Sequence, residues 1–175
     1  MEVSSALTKE QNVEWLHCCE TGIAVLGGIL NVMHPALYQA GIDTMQKLAA
    51  SSNKIKKGHL LKDILKIWAS PYGVINIISN QQTPVHRDNG SSYSCMDTLV
   101  TVGDYQDGTF EIPGLGIDLR YAPGTIIGIS SRILRHGAKY KRDRACIAFY
   151  MKESVMSTVG ISSSTWMNIS SYSYM

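Results

Sequence analysis

Three residues carry the densest chemistry in this chain: His86 and Asp88, separated by Arg87, and His136, fifty positions downstream. In an extended segment, positions i and i+2 project from one side, so His86 and Asp88 face together while Arg87 points away. Two imidazoles and one carboxylate make a 2-His-1-carboxylate facial triad, which holds non-haem Fe(II) and leaves adjacent positions open for a cosubstrate and O2. The tripeptide alone proves little, because five histidines and eight aspartates in 175 residues give a chance His-x-Asp about 0.2 times. Context adds weight. His86 and Asp88 follow an apolar strand and a Pro-containing turn, and His136 is read as closing the strand that begins at Thr125, with Gly137 permitting a close turn near a metal.

Such a centre needs an anchor for its cosubstrate. Eight residues beyond His136, alternation along Arg144–Tyr150 puts Arg144, Cys146, Ala148 and Tyr150 on one face. If that face looks inward, the Arg144 guanidinium suits a bidentate grip on the distal carboxylate of 2-oxoglutarate. The competing reading is an arginine at the end of a barrel, paired with Asp143 or a C-terminal carboxylate.

The elements that must position these groups fall into two textures. From Lys9 to about Ala50 the spacing is helical, interrupted at His34-Pro35, where proline restarts a helix at its first position. A basic amphipathic helix is expected from about Lys54 to Trp68, its lysines read mainly as a solvated face. From Pro71 the chain turns strand-like: Tyr72–Ile78, Thr98–Val102, Thr109–Ile112, Ile117–Tyr121, Thr125–Ile129 and Ala145–Tyr150, separated by Asp107-Gly108, Pro113-Gly114, Gly116 and Pro123-Gly124. The expected class is α+β, a double-stranded β-helix (jelly roll) with N-terminal supporting helices. One domain is expected over residues 1–157, with helical support at about 9–68 and the β core at about 71–152, then a Ser-rich tail over 158–175.

Composition bounds the function. With 45% apolar and 17% charged residues, the chain has the make-up of a globular protein with a real core. Cys18, Cys19, Cys95 and Cys146 form no CxxC pair, and the adjacent pair is poorly placed for a mutual disulfide, so reduced thiols in an intracellular protein are expected. The first twenty residues do not read as a secretory signal. The apolar stretch Thr21–Met33 is read as core, being too short to cross a bilayer, so no membrane partner is expected. Six cations against one aspartate between Arg132 and Arg144 concentrate positive charge beside the proposed site, against a formal net charge of +2 for the whole chain.

An ordered series of blocks carries a resemblance: Ser79-Asn80 leading to His86-Arg87-Asp88, Asp97-Thr98-Leu99, Gly103-Asp104-Tyr105, Leu115-Gly116, Tyr121-x-Pro123-Gly124-Thr125, Leu134-Arg135-His136-Gly137 and Asp143-Arg144-x-Cys146. From about Met33 to Val155 the chain resembles the TET/JBP group of Fe(II)/2-oxoglutarate dioxygenases, most of all its short fungal, mobile-element-associated versions. The resemblance implies the jelly-roll fold, Fe(II) on His86, Asp88 and His136, 2-oxoglutarate on Arg144, O2 as co-reactant, and DNA as partner, with a methyl of 5-methylcytosine or thymine oxidised. It also implies a nuclear location. One departure stands out: many relatives place serine or threonine two residues after the arginine to bind the same carboxylate, where this chain has Cys146, a poorer donor. No cysteine-rich zinc region is present in the sequence.

A methyl at C5 of a stacked base cannot reach recessed iron, so the base must flip out of the helix. Asn80, Arg87, Asn89, Tyr93 and Asp97 are the candidates for holding it at the mouth, and Arg132, Arg135, Lys139, Lys141 and Arg142 could meet phosphates. Two other classes fit the same residues. The chain could be a dioxygenase hydroxylating a protein side chain or small molecule, or a catalytically inert jelly-roll binding module.

Overall fold

The computed structural model describes residues 3–167, and the expected Ser-rich tail lies outside the described residues from 168 onward. The chain forms two compact units, one made of the described residues up to Gly73 and from Glu153 onward, the other spanning Val74–Lys152.

The first unit is helical. Helix α1 (Glu10–Met33) and helix α2 (Pro35–Ala50) break where the sequence places Pro35, whose missing N–H is tolerated at a first helical position. His34 caps α2, its Nδ1 accepting from the Leu37 N–H at 3.2 Å. Burial holds the His34 imidazole below its ordinary value of 6.5. A folded-state pKa below the unfolded one gives stability that is present above the unfolded pKa and lost as pH falls below it. The helical unit should therefore lose stability on acidification below about pH 6.5, and His34→Asn, which keeps a capping oxygen, should flatten that dependence in thermal melts followed by circular dichroism.

Two expectations change here. The apolar stretch Thr21–Met33 is the second half of one 24-residue helix, long and apolar enough to cross a membrane, so shortness is not an argument against a span. One face of α1 buries Leu16, Ile23, Leu26, Gly27 and Leu30, while Val25 and Val32 are exposed. The basic helix is also shorter than expected: α3 covers Gly58–Leu65, because Lys57 takes a left-handed conformation (φ 58°) and starts it late. Helix α4 (Glu153–Thr158) closes the described secondary structure.

The second unit is antiparallel sheet throughout: β1 (Val74–Ser79), β2 (Thr83–His86), β3 (Asp97–Ile112), β4 (Ile117–Arg120), β5 (Ile126–Ile129) and β6 (His136–Tyr150). The long strands β3 and β6 pair with each other from Thr98↔Phe149 to Glu111↔Gly137. At one end of this ribbon β1 flanks β6 and β5 flanks β3; at the other, β2 flanks β6 and β4 flanks β3. Two four-stranded leaves thus share one ribbon, the layout of a jelly roll, and the sheet remains open. Phe110, Ile112 and Ala138 from one leaf, Ile127 and Ile129 from the other, and Tyr121 form its core.

Asp107-Gly108, expected to be a turn between two strands, is instead a bulge inside β3: the register shifts between Gln106 and Thr109, and Asp107 has φ 53°. Glycine is required at 108, since a Cβ there would lie 2.1 Å from the Tyr121 carbonyl oxygen. The bulge bends the ribbon without ending it, and the two expected strands are one of 16 residues.

Candidate metal centre

β2 and β6 bring the two histidines together, for His86 and His136 are register partners across the ladder. His136 does not close the preceding strand as expected. It opens β6, after a turn over Ser131–Leu134. Gly137 serves β2 rather than a turn: a Cβ there would lie 2.9 Å from the Thr83 carbonyl oxygen and 3.1 Å from the Val85 nitrogen, so only glycine lets β2 approach this closely.

Both imidazoles are oriented by the backbone. His86 Nδ1 lies 2.8 Å from the Pro84 carbonyl oxygen and His136 Nδ1 lies 3.0 Å from that of Leu134. A carbonyl only accepts, so each Nδ1 carries a proton, and Nε2 is the nitrogen left for a metal ion. The Nε2 atoms converge on Asp88, at 3.1 Å from His86 to Oδ1 and 3.9 Å from His136 to Oδ2. One candidate ligand atom from each residue lies within 4.8 Å of the others. His136 is buried and stacks on Phe110 with ring centroids 5.6 Å apart, and burial lowers its pKa from 6.5, keeping it neutral as a ligand must be. The His86 and Asp88 side chains are 39% and 43% exposed, so the group is reachable from solvent on that side. Three convergent N and O ligand atoms suit a divalent transition metal with open coordination positions.

The loops that carry these ligands are pinned to each other. Asp88 N–H donates to the Ser131 carbonyl at 3.1 Å, Arg87 Nε to that of Ile133 at 3.0 Å, and Arg132 Nη1 to both oxygens of Asn89 at 2.9 and 2.8 Å. Asp97, expected at the mouth, is 3% exposed. Its Oδ2 accepts from the hydroxyls of Ser91 and Ser131, one on each loop, and burial raises its carboxyl above the usual range. Asn80 is likewise engaged: it takes the left-handed conformation, its Oδ1 accepts from Arg144 N–H at 2.8 Å, and its Nδ2 donates to Asp143. The structure therefore places Asn80, Arg87, Asn89 and Asp97 in structural hydrogen bonds. Of the five mouth candidates Tyr93 stands out, 62% exposed with the Arg132 guanidinium 4.9 Å from its ring centroid.

Arg144 faces inward with Cys146 and Ala148, on the side of β6 that also carries His136. It is 4% exposed, and its Nε donates to Thr101 Oγ1 at 2.8 Å. Its guanidinium carbon lies 4.7 Å from the ring centroid of Tyr121 and 5.0 Å from that of Tyr140. Among the described residues no carboxylate pairs with it, and Asp143 is exposed and bonded to Asn80. A buried cation is costly unless paired, and two aromatic faces offset only part of that cost. The guanidinium is thus able to pair with an anion that is not among the described residues.

The family model for the Tet_JBP oxygenase domain of the 2OGFeDO superfamily matches residues 3–153. The chain belongs to this family. No curated protein matches it. As a Tet_JBP protein it is an Fe(II)/2-oxoglutarate-dependent dioxygenase, and the superfamily uses Fe(II), 2-oxoglutarate and O2. The His-Asp-His group could hold the metal. Sequence reasoning singled out the triad and Arg144 but not Tyr121, Tyr140 and Thr101 around the guanidinium, because aromatic and β-branched residues inside strands read as packing.

Proposed function

We propose that this dioxygenase oxidises a methylated nucleobase in DNA, 5-methylcytosine first among the candidates, with Fe(II) held by His86, Asp88 and His136 and 2-oxoglutarate by Arg144. The carrying observation is the buried guanidinium, without a carboxylate partner among the described residues, on the same face of β6 as His136. When bound, the ferrous ion with 2-oxoglutarate and O2 supplies the oxidant that removes hydrogen from a methyl group. The chain's own residues do the positioning: the Pro84 and Leu134 carbonyls fix the imidazole tautomers, the Asp97–serine bonds hold the Asp88 loop, and Arg144 orients the cosubstrate.

The nucleobase reading is supported by what lies on the loops around Asp88. The exposed Tyr93 ring, backed by Arg132, is a face on which a base could stack, and the exposed Arg135 beside His136 suits a phosphate. Incubating methylated duplex DNA with the Fe(II)-loaded protein and 2-oxoglutarate, then analysing nucleosides by mass spectrometry, should reveal oxidised 5-methylcytosine. Uncoupled or peptide-directed turnover with no oxidised 5-methylcytosine, thymine or 6-methyladenine would remove the DNA assignment.

A further inference from the structure

The resemblance implies a hydroxyl for the distal carboxylate of the cosubstrate at the position of Cys146, and the structure places another hydroxyl, from Tyr121, against that thiol. Tyr121 follows β4, is fully buried, and has its Oη 3.8 Å from Cys146 Sγ. Its ring lies under the Arg144 guanidinium. We propose that the Tyr121 hydroxyl replaces the missing serine or threonine and donates, beside Arg144, to the distal carboxylate of 2-oxoglutarate.

Elimination among the neighbouring hydroxyls supports this assignment. Arg144 Nε donates to Thr101 Oγ1, which lies 2.9 Å from Tyr105 Oη, and Tyr105 Oη donates onward to the Tyr121 carbonyl at 2.7 Å. Since Tyr105 gives its own proton to a carbonyl, the Thr101 proton must go to Tyr105. Both hydroxyls are spent. The Tyr121 hydroxyl lies against the thiol, a weak partner, and hydrogen-bonds with the Arg144 guanidinium, which only donates, so sulfur is the one acceptor for its own proton among the described residues. Burial raises the Tyr121 phenol, with the nearby Cys146 adding and Arg144 opposing, so it stays protonated and able to donate. Tyr140, its ring centroid 5.0 Å from the guanidinium carbon, is the competing phenol.

This inference rests on the cosubstrate reading of Arg144, and the test separates the two. The Fe(II)-loaded full chain would be titrated anaerobically by calorimetry with 2-oxoglutarate and with pyruvate, which shares the chelating 2-oxo acid but lacks the distal carboxylate. Tyr121→Phe should weaken 2-oxoglutarate roughly 10- to 100-fold, the loss of one hydrogen bond to a charged group, and leave pyruvate unchanged. Adding Cys146→Ser to Tyr121→Phe should restore most of the affinity, whereas Tyr140→Phe should change little. Equal affinity of wild type and Tyr121→Phe for 2-oxoglutarate, or equal weakening of both ligands, overturns the proposal. Cys146→Ser alone gives an independent check that does not depend on the phenylalanine variant folding: near-unchanged 2-oxoglutarate affinity is expected, and strong tightening would mean that the wild-type pocket lacks a donor. A wild type that does not prefer 2-oxoglutarate to pyruvate would overturn the Arg144 reading together with this one.

Discussion

Arg144→Leu should keep Fe(II) binding and lose 2-oxoglutarate. Removing one partner of a buried charge pair costs about 2–5 kcal/mol, roughly 30-fold to several thousand-fold in affinity. The variant should melt at or above the wild-type temperature without ligand, since Arg144 is 4% exposed and has no carboxylate partner among the described residues, whereas the shorter apolar side chain needs none. The combination distinguishes a ligand-binding arginine from a structural one, whose loss would lower the melting temperature and leave the cosubstrate affinity alone. Calorimetric titration of the Fe(II)-loaded protein and a thermal melt read both quantities.

The second large effect concerns a residue that touches no ligand. Gly137→Val should separate β2 from β6 by forcing a side chain against the Thr83 carbonyl and Val85. The overpacking cost is about 1–3 kcal/mol, and because β2 ends at His86 the displacement should reach the metal centre. Metal affinity should fall by roughly tenfold or more, as when a ligand's supporting contacts are lost. Gly28→Ala is the control. Nothing lies within 4 Å of a Cβ at Gly28 in α1, so this change should leave metal affinity intact and modestly favour the helix. Fe(II) titration of both variants makes the comparison.

What could be read from the chain beforehand follows from which features are local. His86 and Asp88 share a side of an extended segment whatever the rest of the fold does, and alternation from Arg144 to Ala148 survives in the inward face of β6. Strand ends were less legible. Pro84 argued for a turn, yet it lies in the edge strand β2, where a missing donor is tolerated. Asp107-Gly108 has the chemistry of a hairpin turn, and only the pairing of β3 with β6 on both sides of it makes it a bulge. The sequence leaves Arg87, Asn89 and Asp97 open, each as a residue that holds a base or as one that braces a loop. Their partners, Ile133, Arg132 and Ser131, lie more than thirty positions away, and no local pattern announces such pairing. The same holds for Tyr121 and Cys146, 25 residues apart in sequence.

The triad is the claim on which the rest depends, and one titration tests it most directly. Wild type and His86→Ala would be titrated anaerobically with Fe(II) in the presence of 2-oxoglutarate, with bound metal quantified after removal of the free ion. The geometry predicts one Fe(II) per chain for the wild type and a loss of affinity beyond tenfold for the variant, since one of three converging ligand atoms is gone. Equal Fe(II) binding by the two proteins would contradict the assignment of His86, Asp88 and His136 as the metal centre.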